Sequence, residues 1–257
     1  MEIIKSIFLG IVQGLTEFLP VSSSGHLLLV QEITRTSIDS IFMSLILHLG
    51  TLLAVCIATW DSIKKLFKPP YKTLVFLIIA TIPSAILGLL LEEFLDTVFS
   101  NGKILPFTFM ATAVLLYLTS KIKQKQKPFS LSHSIFMGIG QTFALLPGLS
   151  RSGTTIACGI LSGAKRENVA EFSFLMSIPI ILGGSLVKIY QLISSSTLIT
   201  FEPAPIVAGF LSATLVGFIV IGKMFKLIKR GNFKPFCIYL TVLSLVCAVN
   251  YYLLPLW

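Results

Sequence analysis

Groups able to do chemistry are scarce in this 257-residue chain, which has 11 acidic residues, three histidines and charge on only 12% of its positions. A soluble domain of this length needs far more polar surface to cover its core. Long segments of alternating polarity are missing too, which excludes a membrane barrel. The four cysteines, Cys56, Cys158, Cys237 and Cys247, stand apart in apolar segments without disulfide or metal spacing, so they read as packing residues. What fills the sequence instead is apolar. Several runs approach the roughly 20 residues that a helix needs to cross a bilayer. Such spans are helical, because lipid offers no partner to a free backbone group. Lys5 and the run after it look like a secretion signal. Gln13 and Glu17 interrupt that run, however, and no small-x-small site follows, so the segment is expected to remain in the mature protein.

Six segments read as full spans, at about 40–60, 73–91, 104–120, 170–193, 204–223 and 235–256. Two regions do not. Residues 3–19 form an apolar helix that stops at Pro20, and 24–34 is apolar but short. The shape recurs where 131–146 stops at Pro147 and is followed by a short stretch from Gly153 to Gly163. Eleven helical residues cover about 16 Å, roughly half the hydrocarbon core. Both pairs read as re-entrant hairpins that enter and leave on one side.

The hairpins also echo each other. Gly10-Ile-Val-Gln13 is answered by Gly138-Ile-Gly-Gln141, Leu19-Pro20 by Leu146-Pro147, and Ser24-Gly25 by Ser152-Gly153. In the following spans Met43-Ser44 matches Met176-Ser177, and Leu49-Gly50 matches Leu182-Gly183. A single membrane domain is expected, with repeat 1 at about 1–120 and repeat 2 at about 131–257. Each repeat holds one hairpin and three spans. Three crossings invert the second copy, as in inverted-repeat transporters. The fold expected is therefore an all-α polytopic membrane protein with six transmembrane helices and two re-entrant hairpins in an inverted-topology repeat.

Charge tests this topology independently. With re-entrant hairpins, loops 61–72, 121–132, 164–168 and 223–234 share one side and hold fifteen of the 20 basic residues. Glu92, Glu93, Asp96 and both termini fall on the other side. The positive-inside rule makes the lysine-rich side cytoplasmic and the termini extracytoplasmic. Full crossings in place of the hairpins would scatter those lysines over both faces. The net charge of +9 then reflects topology and lipid headgroups and not nucleic acid.

Chemistry concentrates at the two breaks. In Gln13-Gly-Leu-Thr-Glu17-Phe-Leu-Pro-Val-Ser-Ser-Ser-Gly-His26, Gln13 and Glu17 share a helix face. Glu17 lies near midplane depth at the negative end of its helix, where a carboxylate needs a cation. Ser22, Ser23 and Ser24 open the next half-helix, whose N-terminus is either simply capped by a serine or a preformed anion site. His26 falls in its first turn. The second break supplies Ser150, Arg151, Ser152, Thr154 and Thr155. Arg151 is the basic residue at a hairpin tip, and its planar fork suits phosphate. At an offset of 128, Glu17 corresponds to Leu145, Ser23 to Arg151 and His26 to Thr154. One copy brings carboxylate and imidazole and the other guanidinium, which suits a single asymmetric site between the tips. His48, Gln141, Glu171 and Ser173 either line a cavity or tie helices together. His133 reads as a loop residue.

The segments Gln13–His26 and Pro147-Gly-Leu-Ser-Arg-Ser-Gly153, with Glu171-Phe-Ser-Phe174, strongly resemble the undecaprenyl-diphosphatase family of bacteria, also known as bacitracin-resistance proteins. The resemblance covers nearly the whole chain. It implies a plasma-membrane enzyme that hydrolyses undecaprenyl diphosphate to undecaprenyl phosphate and inorganic phosphate, recycling the carrier for cell-wall synthesis. It also implies two re-entrant hairpins, a site open to the extracytoplasmic side, and functional roles at Glu17, Ser23, His26 and Arg151. Gln13 stands where some members carry Glu, and an amide cannot exchange a proton at neutral pH, which weighs against any mechanism needing two carboxylates on this helix.

The expected chemistry is phosphoryl transfer by positioning and charge neutralisation. Arg151, Ser150, Ser152 and the half-helix N-termini hold the diphosphate, with Gln13, Ser22, Ser24 and Thr154 as further binding groups. Ser23 is the favoured nucleophile, with His26 or Glu17 taking its proton; His26 itself and water are the rivals. A divalent cation, Mg²⁺ or Ca²⁺, is expected to bridge Glu17 and the diphosphate. Two other function classes are a transporter or flippase of polyprenyl phosphate, since broken inverted repeats are a transporter architecture, and a structural scaffold. A scaffold would leave Glu17, His26 and Arg151 unexplained.

Overall fold

The computed structural model describes residues 2–34, 40–99, 102–122, 127–194 and 202–254. Lys123 and Lys125 of the second basic loop, residues 255–256 of the last expected span, and the side chains of Glu92 and Asp96 lie outside this description. The described residues form twelve helices and no strand, with one isolated bridge between Lys127 and Ala164.

The first break falls where proline denies the helix a donor. α1 (Glu2–Phe18) stops ahead of Pro20, and α2 (Ser23–Thr34) starts after Ser22, whose φ of 73° is a left-handed conformation for a side-chain-bearing residue. α3 (Ser40–Ala58) does not run straight to residue 60. It bends by 76° at Thr59 into α4 (Trp60–Leu66), so the first expected span ends in a second short helix. α5 (Lys72–Leu90) is followed by α6 (Glu92–Phe99), a helix not expected from the sequence, and by α7 (Leu105–Lys121).

The second half opens with α8 (Leu131–Phe143), shorter than expected, a turn over 144–150, and α9 (Arg151–Leu161). His133 is not a loop residue. It completes a capping box at the start of α8, where its Nδ1 accepts the Ser130 N–H at 3.0 Å. α10 (Arg166–Ser194), α11 (Pro203–Arg230) and α12 (Lys234–Tyr252) complete the chain. The 28 residues of α11 reach past the expected span, so Lys223, Lys226, Lys229 and Arg230 ride on its final turns.

Among the described residues α5, α10, α11 and α12 are long and apolar enough to cross a membrane, and the bent α3–α4 pair makes a fifth candidate. α7 has 17 residues, the lower limit of about 17–25 for a span. The outer surface fits such a solvent. Val75, Ile78, Ile82 and Ile86 recur at helical spacing along α5, and all are exposed. This is a multi-pass membrane protein.

Loop contacts sort into two ends. At one end, the Ser62 hydroxyl beside the α4 lysines donates to Glu171, Lys127 bridges Ala164, and Lys229 lies 3.8 Å from Glu167. At the other, Tyr252 donates to the Lys103 carbonyl at 2.9 Å and Tyr251 bonds Glu32. The lysine-rich segments that are described thus gather at one end.

The halves exchange partners. α1 packs chiefly against α11, and α8 against α5. The echoed glycines make this approach feasible: a Cβ on Gly10 would stand 2.5 Å from the Gly209 carbonyl oxygen, and one on Gly138 2.6 Å from that of Ala80. Neither backbone can yield without parting the helices. Gly10→Ala and Gly138→Ala should each cost about 1–3 kcal/mol. Thermal melts of the detergent-purified protein check this, and unchanged melting would refute the close crossings.

Candidate active site

The two breaks bring their tips into contact. The Ser152 hydroxyl donates to the Leu19 carbonyl at 2.9 Å, tying the start of α9 to the end of α1. Ser150 caps α9, its Oγ accepting the Gly153 N–H at 3.1 Å, while its own N–H donates to Thr112 Oγ1. The α9 cap therefore fixes Arg151 as the first helical residue, facing the other hairpin.

Glu17 is the hub. Its Oε1 receives Arg151 Nη2 at 2.7 Å, and its Oε2 receives Ser23 Oγ at 2.6 Å and Gln13 Nε2 at 3.1 Å. The side chains of Arg151 and Glu17 are 13% and 7% exposed, so this charge-assisted bond is formed largely away from solvent. His48 Nε2 stands 3.9 Å from Oε2, beyond hydrogen-bond reach. Two buried donor or acceptor atoms here have no partner: Arg151 Nη1 and Gln13 Oε1. An orphaned guanidinium nitrogen beside a filled one is poised to take an anionic oxygen.

Glu17, Ser23, Arg151 and His48 face a cavity of about 320 Å³, while Gln13 is fully buried and does not line it. Glu17, Ser23, Ser24, His48, Arg151 and Lys188, with Gln141 and Ser185, supply its polar wall, and Leu145, the counterpart of Glu17, part of its apolar wall. Leu95 of α6 and Gln191 near the end of α10 also line it, at the end away from the lysine-rich segments.

The other expected residues sit elsewhere. His26 does not line the cavity. Its Nδ1 lies 2.7 Å from the Ser22 carbonyl and its Nε2 2.7 Å from the Tyr239 hydroxyl, with the ring stacked on Tyr239 and edge-on to Phe109. Ser22 is buried, its Oγ 3.2 Å from that of Ser24. Ser150, Ser152 and Thr154 are buried behind the wall, and Thr154 Oγ1 has no partner. Lys188 was missed in the sequence. It donates to Ser44 Oγ at 3.0 Å, next to His48, and its signal was available as a lone cation inside an apolar span. Tyr239 gave no such signal.

The family model described as "Bacitracin resistance protein BacA" matches residues 6–246. The chain belongs to that family. The undecaprenyl-diphosphatase of Halothermothrix orenii is 37% identical, over 97% of this chain and 98% of its own length. The proteins of the same name from Methanobrevibacter smithii and Carboxydothermus hydrogenoformans are 39% and 36% identical, covering 96% and 97% of both chains respectively. The BacA-family match thus spans both hairpins and the cavity between them.

The ion pair makes a stability prediction. Arg151→Met leaves the Glu17 carboxylate buried and unpaired, at about 3–5 kcal/mol, and Glu17→Gln in the same chain should restore most of that. A double-mutant cycle on melting temperature reads the coupling, and additive effects would dissolve the pair.

Proposed function

We propose that this chain is an integral membrane phosphatase that hydrolyses undecaprenyl diphosphate to undecaprenyl phosphate and inorganic phosphate. By this reading it recycles the lipid carrier for peptidoglycan synthesis and confers bacitracin resistance. The observation that carries it is the meeting of Glu17, Ser23 and Arg151, from separate halves of the chain, on one cavity wall.

Arg151 keeps Glu17 on Nη2 and takes a phosphate oxygen on Nη1, and Lys188 adds a second cation on the cavity wall. Ser23 and Arg151 each begin a half-helix, so backbone N–H groups and the positive helix ends face the anion. Ser23 attacks the terminal phosphorus as its proton passes to Glu17 Oε2, and undecaprenyl phosphate leaves. Water then releases phosphate from Ser23. His26, held by Tyr239, positions α2 in this scheme.

A divalent cation, Mg²⁺ or Ca²⁺, takes oxygen ligands. No group of three His, Cys, Asp or Glu side chains comes together among the described residues. Gln13 Oε1, buried and unpartnered beside Glu17, provides an amide oxygen next to a carboxylate, which fits an ion that draws its remaining ligands from substrate and water. Such an ion would neutralise charge on the diphosphate. Chelation should then abolish phosphate release and added Mg²⁺ or Ca²⁺ restore it, with Gln13→Ala raising the concentration needed; full activity in chelator would remove the ion from the scheme.

The topology we read is six spans, with α1–α2 and α8–α9 as re-entrant hairpins of repeats at about 1–120 and 131–257. The exchange of partners by α1 and α8, and the two sets of loop contacts, support it. Placing the lysine-rich end in the cytoplasm puts both termini and the cavity mouth outside, in the bacterial plasma membrane. The same exchange between halves favours a second reading, carrier transport.

One assay separates them. Ser23→Ala and Arg151→Ala should each lower phosphate release from the C55 diphosphate in detergent by roughly two orders of magnitude or more, and Arg151→Lys should recover little, lacking the fork. Radiolabel trapped on His26 would refute the serine route. Lipid movement in vesicles that survives both alanine variants would favour transport.

A further inference from the structure

Glu17 and Arg151 cancel each other's charge, yet the cavity they face is not neutral. The third charged side chain on its lining is Lys188, so the excess positive charge of the wall comes from α10 and not from the hairpin tips. Lys188 also stands at a different depth. Its Nζ donates to Ser44 Oγ at 3.0 Å, and Ser44 precedes His48, the neighbour of Glu17, by four residues on α3. Four helical residues rise about 6 Å. Because α3 runs on into α4 at the lysine-rich end, that step leads away from this end, toward Leu95 and Gln191.

One turn of α10 before Lys188, Ser185 lines the same cavity. Its hydroxyl is buried and has no hydrogen-bond partner, although a helical serine can bond a carbonyl of the preceding turn. A Cβ on the adjacent Gly184 would meet no atom within 4 Å, so the wall here borders open space. Of the unpartnered buried atoms on the lining residues, Arg151 Nη1 and Ser185 Oγ can donate, whereas Gln141 Oε1 only accepts. The cavity thus holds two donors waiting for an acceptor, one at the tips and one beside Lys188.

We propose that Ser185 and Lys188 form a second phosphate subsite, which takes the lipid-side phosphate of the diphosphate while Arg151 Nη1 takes the terminal one. This deepens the hydrolase reading and rests on it. The attacked phosphorus belongs beside Ser23, and the bridging oxygen then leads to the phosphate that carries the prenyl chain, nearer the mouth and beside Val187 and Leu95. Lys188 is therefore a specificity-determining residue. It reads the presence of a second phosphate, which a site built on Arg151 alone does not.

Removing the lipid-side phosphate from the ligand tests this. Two unreactive farnesyl ligands share a terminal phosphonate: in one a methylene joins it to a lipid-side phosphonate, and in the other a neutral amide replaces that second group. Calorimetry on the detergent-purified full chain gives the Kd of each. Wild type should favour the diphosphonate by about tenfold or more, and Lys188→Met should lose about that factor on the diphosphonate, with the amide ligand unchanged within about twofold. A purely structural role for Lys188 through its Ser44 bond would weaken both ligands alike. Equal losses, no loss, or a wild type without preference overturns the subsite. Should Lys188→Met fail to fold, Ser185→Ala decides by the same ratio: a selective loss on the diphosphonate supports the subsite and an unchanged ratio ends it. Phosphate release from the C55 diphosphate by wild type is assayed alongside. Its absence defeats the hydrolase reading, whereas the ratio of the two Kd values is read without turnover.

Discussion

A carboxylate and a guanidinium, each costly to bury in a bilayer, meet at 2.7 Å where two interrupted helices touch. Glu17 ends α1 and Arg151 begins α9, so neither is close to its partner in sequence. Their bond requires that the tips abut, and the Ser152–Leu19 hydrogen bond shows how closely they do. The remaining donors follow from that arrangement. Gln13 reaches Glu17 one turn along α1, and Ser23 reaches it across the break. What is left uncommitted is one guanidinium nitrogen and one amide oxygen, the two atoms on which the proposed anion and cation sites rest.

Much of the helical layout was readable from composition and from two prolines. Pro20 and Pro147 mark the breaks because no helix donates through them, and apolar length gave the major spans. The ends were less readable. Lysines on the last turns of α11 resemble a loop in sequence, although a helix carries them readily past the hydrocarbon. The bend at Thr59 and the short α6 depend on packing and on no local breaker.

At the site, Glu17, Ser23 and Arg151 were identifiable because an ionisable group beside a helix break in lipid demands a partner. The lodging of His26 was not, since Tyr239 lies more than two hundred residues away and nothing local links them. The serines divided in a way that sequence alone left open. Ser23 turns to the cavity, while Ser150 spends its hydroxyl on capping α9. Lys188 obeyed the same rule that singled out Arg151, but sat within an otherwise convincing span.

The swapped packing of α1 and α8 bears on how the chain is made. α1 leaves the ribosome well before its principal neighbour, α11, from which it is separated by nine other helices. Until then the groove around Gly10 stays unfilled, and Glu17 waits unmated until Arg151 of α9 has been made. Completion of the site is thus a late event of biogenesis, and a truncated product holding only the first half of the chain would be a client for membrane quality control, not half an enzyme.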